Sequence, residues 1–329
     1  GQKIAHKADE VKKDAQVFVN EMAARVRELC DKLDISNDDF IQTTQERHKR
    51  SVAAFWNRVM EAGFIYKKPY AGLYCVGCES FKTEKDLVDG MCPDHGTAPE
   101  RFEDENYFFK LTACREKLQV LYDERPDFVI PEAKFNEVKQ LLASGLEDVS
   151  ISRSRKVLEW GIPVPDDDTQ VVYVWFDALV NYVSAIGYGR GKEDEMATYW
   201  PADVHIIGKE INRFHTVLWP AMLMAAGVEV PHQVGVHGFI TVDGKKMSKT
   251  IGNVLNPFDA ISRYGTEPLR YFLMSEIPFH GDGDFSHARF LDRYNGDLAN
   301  ELGNLLNRAV AMTERYLDGV VPKIVEYDV

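Results

Sequence analysis

Three apolar segments, each followed by a helical or loop pattern, constrain the fold of this chain more than any other feature. The segments are "VVYVWF" at 171–176, "DVHIIG" at 203–208 and "HQVGVHGFI" at 232–240. Continuous apolar runs of this kind are typical of strands buried on both faces of a parallel sheet. A helix is predicted from Asp177 after the first run, and "EINRFHTVLWPAML" follows the second. This alternation predicts an α/β fold with a doubly wound parallel sheet.

Length and charge limit what kind of protein this is. A chain of 329 residues is expected to form two or more domains. The net charge of −13 argues against non-specific coating of nucleic acid, although local basic loops could still bind one. The start "GQKIAHKADE" is not a signal peptide, and no apolar run is long enough for a membrane span. Both ends resemble the interior of a longer protein, so we expect a fragment, with a monomer favoured.

The remaining patterns divide the chain into five predicted regions. Residues 2–35 are predicted to be one helix, "DDFIQTT" a short strand, and 44–62 a helix that starts with a capping box of Thr43 and Glu46. A Gly-, Pro- and Cys-rich stretch begins an inserted α+β domain, and a long helix runs from 287. The predicted regions are a first part of the sheet domain (1–66), the insertion (67–158), a second part of the sheet domain (159–244), a lysine-loop region (245–286) and the start of a helical bundle (287–329).

The spacing of cysteine and histidine in the insertion predicts a metal site. Cys75-x2-Cys78-x13-Cys92-x2-His95 supplies two close pairs of ligands, an arrangement that suits tetrahedral Zn²⁺. Four protein ligands make such a site structural rather than catalytic. The alternative, scattered core thiols, better describes Cys30 and Cys114. Five cysteines with this spacing also indicate a reducing compartment.

Polar and aromatic residues follow the predicted strands at the edge where parallel sheets bind ligands. Trp175 ends the first predicted strand and Tyr182 lies two helical turns further on, whereas Glu210, Phe214 and His215 follow the second strand. Each aromatic residue or histidine alone is more often part of a packed core. Their concentration at one edge favours a binding site.

The third strand runs into "KKMSKTIGN" at 245–253, which carries Lys246 and Lys249. Such a loop is usually a solvated turn. Beside a ligand-binding sheet edge it could instead close over a triphosphate and neutralise charge on departing pyrophosphate.

These motifs resemble one family. "KMSKT" differs from the KMSKS signature of class I aminoacyl-tRNA synthetases only at Thr250. "YVWFDALVNY", "GKEINRFHTVLWPAML", "YCVGC…CPDHG" and "NGDLANELGNLLNR" are similar to segments of methionyl-tRNA synthetases. The resemblance implies a Rossmann-type catalytic domain with a zinc-binding insertion and a C-terminal bundle. It also implies ATP-dependent activation of L-methionine, with Mg²⁺, and transfer to tRNA(Met), in the cytoplasm or alternatively the mitochondrial matrix.

The resemblance assigns roles to individual residues. It implies a methionine pocket of Trp175, Tyr182, Phe214, His215 and Trp219. Arg153 would lie near the substrate carboxylate, although a surface salt bridge is an alternative. It implies ATP binding by Gly208, Glu210, Lys246, Ser248 and Lys249, with the two lysines catalytic. Asn304 and Arg308, four residues apart on one helix, would read the anticodon.

The sequence lacks one signature of the family, and two alternative functions are considered beside the methionine enzyme. The family's second ATP-binding signature, of the form His-x-Gly-His, does not occur in the sequence. Another class I synthetase for an aliphatic amino acid would also use the lysine loop, but those enzymes carry a larger insertion. A catalytically silent tRNA-binding paralogue would retain the zinc domain and bundle, but it has no reason to retain both lysines.

Overall fold

A computed structural model of the chain describes residues 2–75, 80–82, 84–156, 158–247, 253–321 and 323. The chain divides into two compact units. Unit 1 comprises Gly1–Glu28 and Ser36–Val236, and unit 2 comprises Leu29–Ile35 and His237–Val329. Within the described ranges, no helix combines the length and apolar character needed to cross a bilayer.

Helices and strands alternate through much of the molecule. The helices are α1 (Gln2–Glu10), α2 (Ala15–Lys32), α3 (Glu46–Glu61), α4 (Arg115–Glu124), α5 (Glu132–Ser144), α6 (Val174–Leu179), α7 (Asn181–Ala185), α8 (Glu193–Tyr199), α9 (Trp219–Ala226), α10 (Pro257–Tyr264), α11 (Thr266–Glu276), α12 (His287–Arg293) and α13 (Gly303–Leu317). The strands are β1 (Ile65–Cys75), β2 (Ser80–Lys82), β3 (Glu100–Phe109), β4 (Val129–Ile130), β5 (Val149–Ser150), β6 (Ser152–Ser154), β7 (Pro163–Val164), β8 (Asp167–Val172), β9 (Val204–Gly208), β10 (Gln233–His237), β11 (Ile240–Val242), β12 (Lys245–Lys246) and β13 (Gly283–Phe285).

The first helical prediction is wrong in its continuity, because α1 and α2 are separate helices. The Asp14 carboxylate accepts hydrogen bonds from the backbone N–H groups of Gln16 and Val17. An acidic side chain in this position caps a new helix and satisfies N–H groups that would otherwise lack partners. Lys12, at φ +54°, turns the chain between the two helices. The spacing of apolar residues in the sequence continues across this break, so periodicity alone does not reveal it.

The prediction for residues 38–46 is also wrong. This described stretch forms no strand, and α3 begins at Glu46 after Gln45, without a side-chain cap. Asp39 instead forms a bidentate ion pair with Arg47 at 2.7 Å. The charged pair holds the segment as an irregular turn against the start of α3, and Thr43 lies outside the helix.

The region of the predicted insertion contains an antiparallel sheet with strand order β2-β1-β3-β5. β1 and β3 pair along their lengths, from Ile65 opposite Phe109 to Tyr74 opposite Glu100. Helices α4 and α5 lie between β3 and β5 in the sequence. The boundaries of the inserted domain remain predictions.

The segment 171–176 is not a strand of a parallel sheet, contrary to prediction. β8 ends at Val172 and lies between β6 and β7 in an antiparallel sheet. Helix α6 then begins at Val174, so Trp175 lies in a first helical turn. An apolar run of six residues fits a buried strand end followed by a buried short helix equally well.

The other two apolar runs form strands, β9 and β10, as predicted, but β9 is not buried on both faces, because Val204 and Ile206 are exposed. They belong to a sheet of order β4-β10-β9, in which β10 and β4 are parallel. After β9 the chain continues through a 3-10 turn at Lys209–Ile211, a π-helical turn at Phe214–Leu218 and α9. The main hydrophobic core of unit 1 surrounds this sheet and the helices packed on it.

Unit 2 has its own small core, in which Phe272, Phe285 and Phe290 pack together. Strands β12, β11 and β13 form its sheet, with β11 and β13 parallel. The predicted helix after 287 is present as α12, a π-helical segment at Tyr294–Leu302 and α13.

Candidate functional site

Two of the predicted pocket residues form a parallel aromatic stack. Trp175 in α6 and Phe214 in the π-helical turn lie with ring centroids 4.0 Å apart and planes 9° apart. Both are half-buried, so the stack has an accessible side. A π-helical turn widens the helix by one residue and changes the direction of its side chains. That turn brings Phe214 to Trp175, although Trp175 does not end a strand.

Tyr182 and His215 form a hydrogen bond whose direction can be assigned. His215 Nδ1 lies 3.1 Å from the carbonyl oxygen of Ile211, which can only accept, so Nδ1 carries the proton. Burial lowers the pKa of His215, so the ring is neutral and Nε2 has a free lone pair. The Tyr182 hydroxyl therefore donates to Nε2 across 2.8 Å.

A second histidine, which the sequence interpretation did not single out, lies on the other side of Tyr182. The His205 ring stacks on the Tyr182 ring at 3.9 Å and 21°. Trp219 donates its indole N–H to His205 Nε2 at 3.2 Å. Trp219 itself is fully buried, so it supports the cluster from the core.

The cluster carries no charge at neutral pH. Burial, with a smaller contribution from His215, lowers the pKa of His205 to about 3. Burial also raises the pKa of Tyr182 to about 12. A wall of neutral rings disfavours a charged side chain and suits an uncharged, polarisable one, such as a thioether that contacts ring edges.

Arg153 lies on β6 and is buried, which excludes the surface salt-bridge interpretation. Its exposed fraction is 5%. One guanidinium nitrogen donates to the Ser152 carbonyl oxygen at 2.7 Å, and the guanidinium lies 4.2 Å from the centroid of Tyr173. Tyr173 precedes Trp175 by two residues, so Arg153 is held close to the start of α6.

Gly208 and Glu210 lie at the carboxyl end of β9, as predicted. Gly208 is the last residue of the strand, and Glu210 lies in the 3-10 turn that follows. The Glu210 side chain is exposed and thus available to a ligand beyond the sheet edge.

Three of the four predicted metal ligands come together. The ligand atoms of Cys75, Cys92 and His95 all lie within 4.8 Å of one another. His95 Nδ1 is 3.9 Å from Cys75 Sγ and 3.7 Å from Cys92 Sγ. Both cysteines are buried and His95 is exposed. Cys78 lies outside the described residues. The group can hold a metal ion.

The predicted lysine loop begins on a hairpin of unit 2. Lys246 is exposed on β12, with its amine 5.0 Å from the Phe239 ring centroid. The carboxylate of Asp284 on β13 holds the hairpin, because it accepts from the Thr241 hydroxyl at 2.7 Å and the Gly244 N–H at 2.6 Å. Ser248 and Lys249 lie outside the described residues.

Asn304 and Arg308 lie on α13, and both are exposed. A separation of four residues places them on one face of the helix. Leu305 and Leu306 beside them are also exposed, at 66% and 64%. The predicted pair therefore lies on an exposed part of α13.

The sequence model of the family described as tRNA synthetases class I (M) matches residues 1–101 and 84–310. The chain belongs to this class I family. It is 48% identical over 323 residues to the methionine–tRNA ligase of Caldanaerobacter subterraneus, an alignment that covers 98% of this chain and 50% of that protein. With the methionine–tRNA ligase of Thermotoga maritima it shares 46% identity over 98% of its length and 51% of the relative's.

Solved structures of class I synthetases resemble the chain in three dimensions. Mycobacterium tuberculosis methionyl-tRNA synthetase in complex with methionyl-adenylate matches with a TM-score of 0.93 and 40% identity, over 100% of this chain and 65% of that one. The apo form of the same enzyme matches with a TM-score of 0.83 and 39% identity, over 95% of this chain and 61% of that one. The chain thus has the mixed α/β fold of class I synthetases and spans about half the length of the relatives it matches.

Sequence reasoning missed two buried polar groups of this class I chain. One is His205, whose inward position follows from the alternating burial of β9. The other is His48 on α3, which lies 2.6 Å from Asp177 and 2.8 Å from Ser184. A single histidine in an apolar segment resembles a core residue, so only the alternation of β9 could have drawn attention to His205, and no local signal marks His48.

Proposed function

We propose that the protein containing this chain is a methionine–tRNA ligase. It activates L-methionine with ATP and Mg²⁺ to methionyl-adenylate, releases pyrophosphate, and transfers methionine to the 3′ end of tRNA(Met). The observation that carries the proposal is the neutral aromatic cluster around Tyr182 and His215, in a chain whose relatives are named methionine–tRNA ligases. A cytoplasmic location fits its bacterial relatives.

The proposed pocket binds the methionine side chain between aromatic groups. Trp175 and Phe214 provide the accessible stack, while Tyr182 and His215 border the thioether, and Trp219 supports them. Arg153 assists in binding the substrate carboxylate. Contacts between sulfur and ring edges contribute about 0.3–1.5 kcal/mol each and distinguish methionine from an alkyl chain of similar size.

ATP binding is proposed beyond β9 and at the lysine loop. Gly208 permits close approach at the strand end, and Glu210 accepts hydrogen bonds from the ribose. A methionine carboxylate oxygen attacks the α-phosphorus of ATP, a P–O bond forms, and the bond to the bridging oxygen of the β-phosphate breaks. Lys246 and Lys249, with Ser248 between them, stabilise the negative charge that accumulates on pyrophosphate. Asn304 and Arg308 recognise the anticodon.

Amino-acid-dependent ATP–pyrophosphate exchange tests the function. Protein from the complete reading frame that contains this chain is assayed with methionine, isoleucine, leucine and valine. Exchange with methionine alone is expected. Exchange with another amino acid would favour a synthetase for an aliphatic amino acid, and no exchange with any of them would favour the silent tRNA-binding paralogue.

The lysine loop has its own test, with its neighbour as control. Lys249→Ala is expected to slow adenylate formation by ~2–4 kcal/mol of transition-state stabilisation, because it removes charge beside the leaving group. Lys245→Ala removes one exposed charge from the same hairpin and should have little effect. An unchanged rate of adenylate formation for Lys249→Ala at saturating ATP would mean that the loop takes no part in the reaction.

The Cys/His group is proposed to hold a structural Zn²⁺ with Cys78 as fourth ligand. Ligand atoms around tetrahedral zinc, at about 2.3 Å for sulfur and 2.0–2.1 Å for nitrogen, lie roughly 3.6 Å apart. The observed distances of 3.7 and 3.9 Å support this donor set. Bound zinc would fix the β1–β2 end of the antiparallel sheet.

Metal analysis of gently purified protein checks the zinc proposal. One zinc per chain is expected, and Cys92→Ser should release it, because it removes a thiolate ligand. Cys30→Ser changes a half-buried cysteine outside the group and should retain the metal. Native protein without zinc would contradict the proposal.

A further inference from the structure

A buried histidine links three helices beneath the candidate pocket. His48 on α3 has no exposed surface. Its Nε2 lies 2.6 Å from Asp177 Oδ1, and its Nδ1 lies 2.8 Å from Ser184 Oγ. Asp177 belongs to α6 and Ser184 to α7. Each of the two ring nitrogens of His48 therefore contacts a different short helix.

The same two helices carry the pocket aromatics. Trp175 precedes Asp177 by two residues in α6, and Tyr182 precedes Ser184 by two residues at α7. Residues two apart on a helix point about 200° apart around its axis, at 3.6 residues per turn. Each helix therefore directs an aromatic ring toward the pocket and a polar group toward His48.

These helices are too short to hold their own geometry. α6 has 6 residues and α7 has 5. Isolated helices shorter than about 12–15 residues are marginal in water, so their orientation depends on tertiary contacts. Buried polar networks whose members are all hydrogen-bonded rigidify and specify one arrangement.

The network is completed by neighbouring contacts. The Ser184 hydroxyl also lies 3.1 Å from the carbonyl oxygen of Asn181, so it contacts both that oxygen and His48 Nδ1. Ser51, one turn along α3 from His48, donates to the Tyr188 carbonyl oxygen at 2.7 Å. The face of α3 that carries His48 thus binds α6, α7 and the chain after α7.

We propose that His48 is a positioning residue for methionine recognition, which fixes the Trp175 and Tyr182 rings by binding Asp177 and Ser184. The inference rests on the proposed function of the same site. The inference assigns His48 a role that does not require contact with methionine or ATP, because His48 acts through the orientation of α6 and α7.

Steady-state pyrophosphate exchange separates this role from general stability. In protein from the complete reading frame, His48→Leu removes both hydrogen bonds and is expected to raise KM for methionine at least about tenfold, since one buried polar interaction typically accounts for such a factor. KM for ATP should change by less than about twofold. His48→Gln places an amide near the Nε2 position and should recover most of the methionine affinity.

Val59→Ala is the matched control. Val59 is fully buried on the same helix, about three turns from His48. This substitution creates a small cavity and lowers stability, but it leaves the His48 network intact. KM for methionine should remain that of the native protein. If His48→Leu does not fold, Ser184→Ala takes its place in the experiment, because it removes only one of the two hydrogen-bond partners of His48.

Three results would overturn the inference. An unchanged KM for methionine in folded His48→Leu protein would exclude a positioning role. A parallel rise in both KM values, or the same rise in Val59→Ala, would mean that His48 serves the fold alone. Native protein without methionine-dependent exchange would overturn the proposed function and this inference together, whereas the first two results leave the function intact.

Discussion

At the scale of single residues, the candidate pocket depends on protonation states that buried partners fix. The Tyr182 hydroxyl supplies the hydrogen that His215 Nε2 accepts. Tyr182→Phe leaves this buried nitrogen without a donor, which should lower the free energy of unfolding by about 1–3 kcal/mol. Urea denaturation measures the change. Tyr199→Phe, at a side chain that is 66% exposed, should leave stability unchanged, and equal midpoints for the two variants would contradict the assigned hydrogen bond.

We expect Trp175 to contribute far more to the affinity for methionine than to the affinity for ATP. Trp175→Ala removes one ring of the stack with Phe214 and opens the accessible side of the cluster. Loss of an aromatic partner and its buried area should raise the Kd for methionine about tenfold or more. Calorimetric titration with methionine and with ATP measures both. Trp160→Ala, at a half-buried tryptophan, is the control, and equal loss of both ligands would mean general unfolding.

At the scale of elements, the hairpin under the lysine loop depends on one ionised carboxylate. Hydrogen bonds from the Thr241 hydroxyl, and then from the Gly244 N–H, hold the pKa of Asp284 below its usual range. A depressed native pKa contributes stability that is present above the unfolded value of about 3.9 and is lost as pH falls through the native value. Below about pH 4 the hairpin should therefore loosen.

Asp284→Asn separates charge from hydrogen bonding in this hairpin. The amide oxygen still accepts from Thr241 and Gly244, but it does not titrate. The Tm of the variant should fall less steeply than that of the native chain between about pH 5 and pH 2. Parallel curves would show that Asp284 does not stabilise the hairpin through its charge.

The elements also show what the sequence could predict. Strands β9 and β10 were predictable because each is an apolar run closed by Gly or by turn residues. The run at 171–176 was not, because a strand end and a buried short helix have the same composition. The sequence nevertheless grouped Trp175 with Phe214. The two rings do stack, because the stack requires only that α6 and the π-helical turn meet. His48 could not be predicted, because its partners lie 129 and 136 residues away.

At the scale of the whole molecule, the two units differ in the size of their cores. The core of unit 1 spans α3, α4, α5, α9 and the sheet between them, whereas that of unit 2 is a small cluster around Phe272. A small core buries less apolar surface and gives less stability. We therefore expect unit 2 to unfold at lower denaturant concentration than unit 1.

Two optical probes can resolve this order in the 329-residue chain. All five tryptophans lie within 36–236, so their fluorescence reports on unit 1, whereas far-UV circular dichroism reports helices of both units. The dichroism should begin to change before the fluorescence. Phe272→Ala removes a buried ring worth about 3–5 kcal/mol and should shift only the early dichroism change. Phe135→Ala, equally buried in unit 1, should shift the fluorescence transition. Coincident curves for the native chain would instead mean a single cooperative unit.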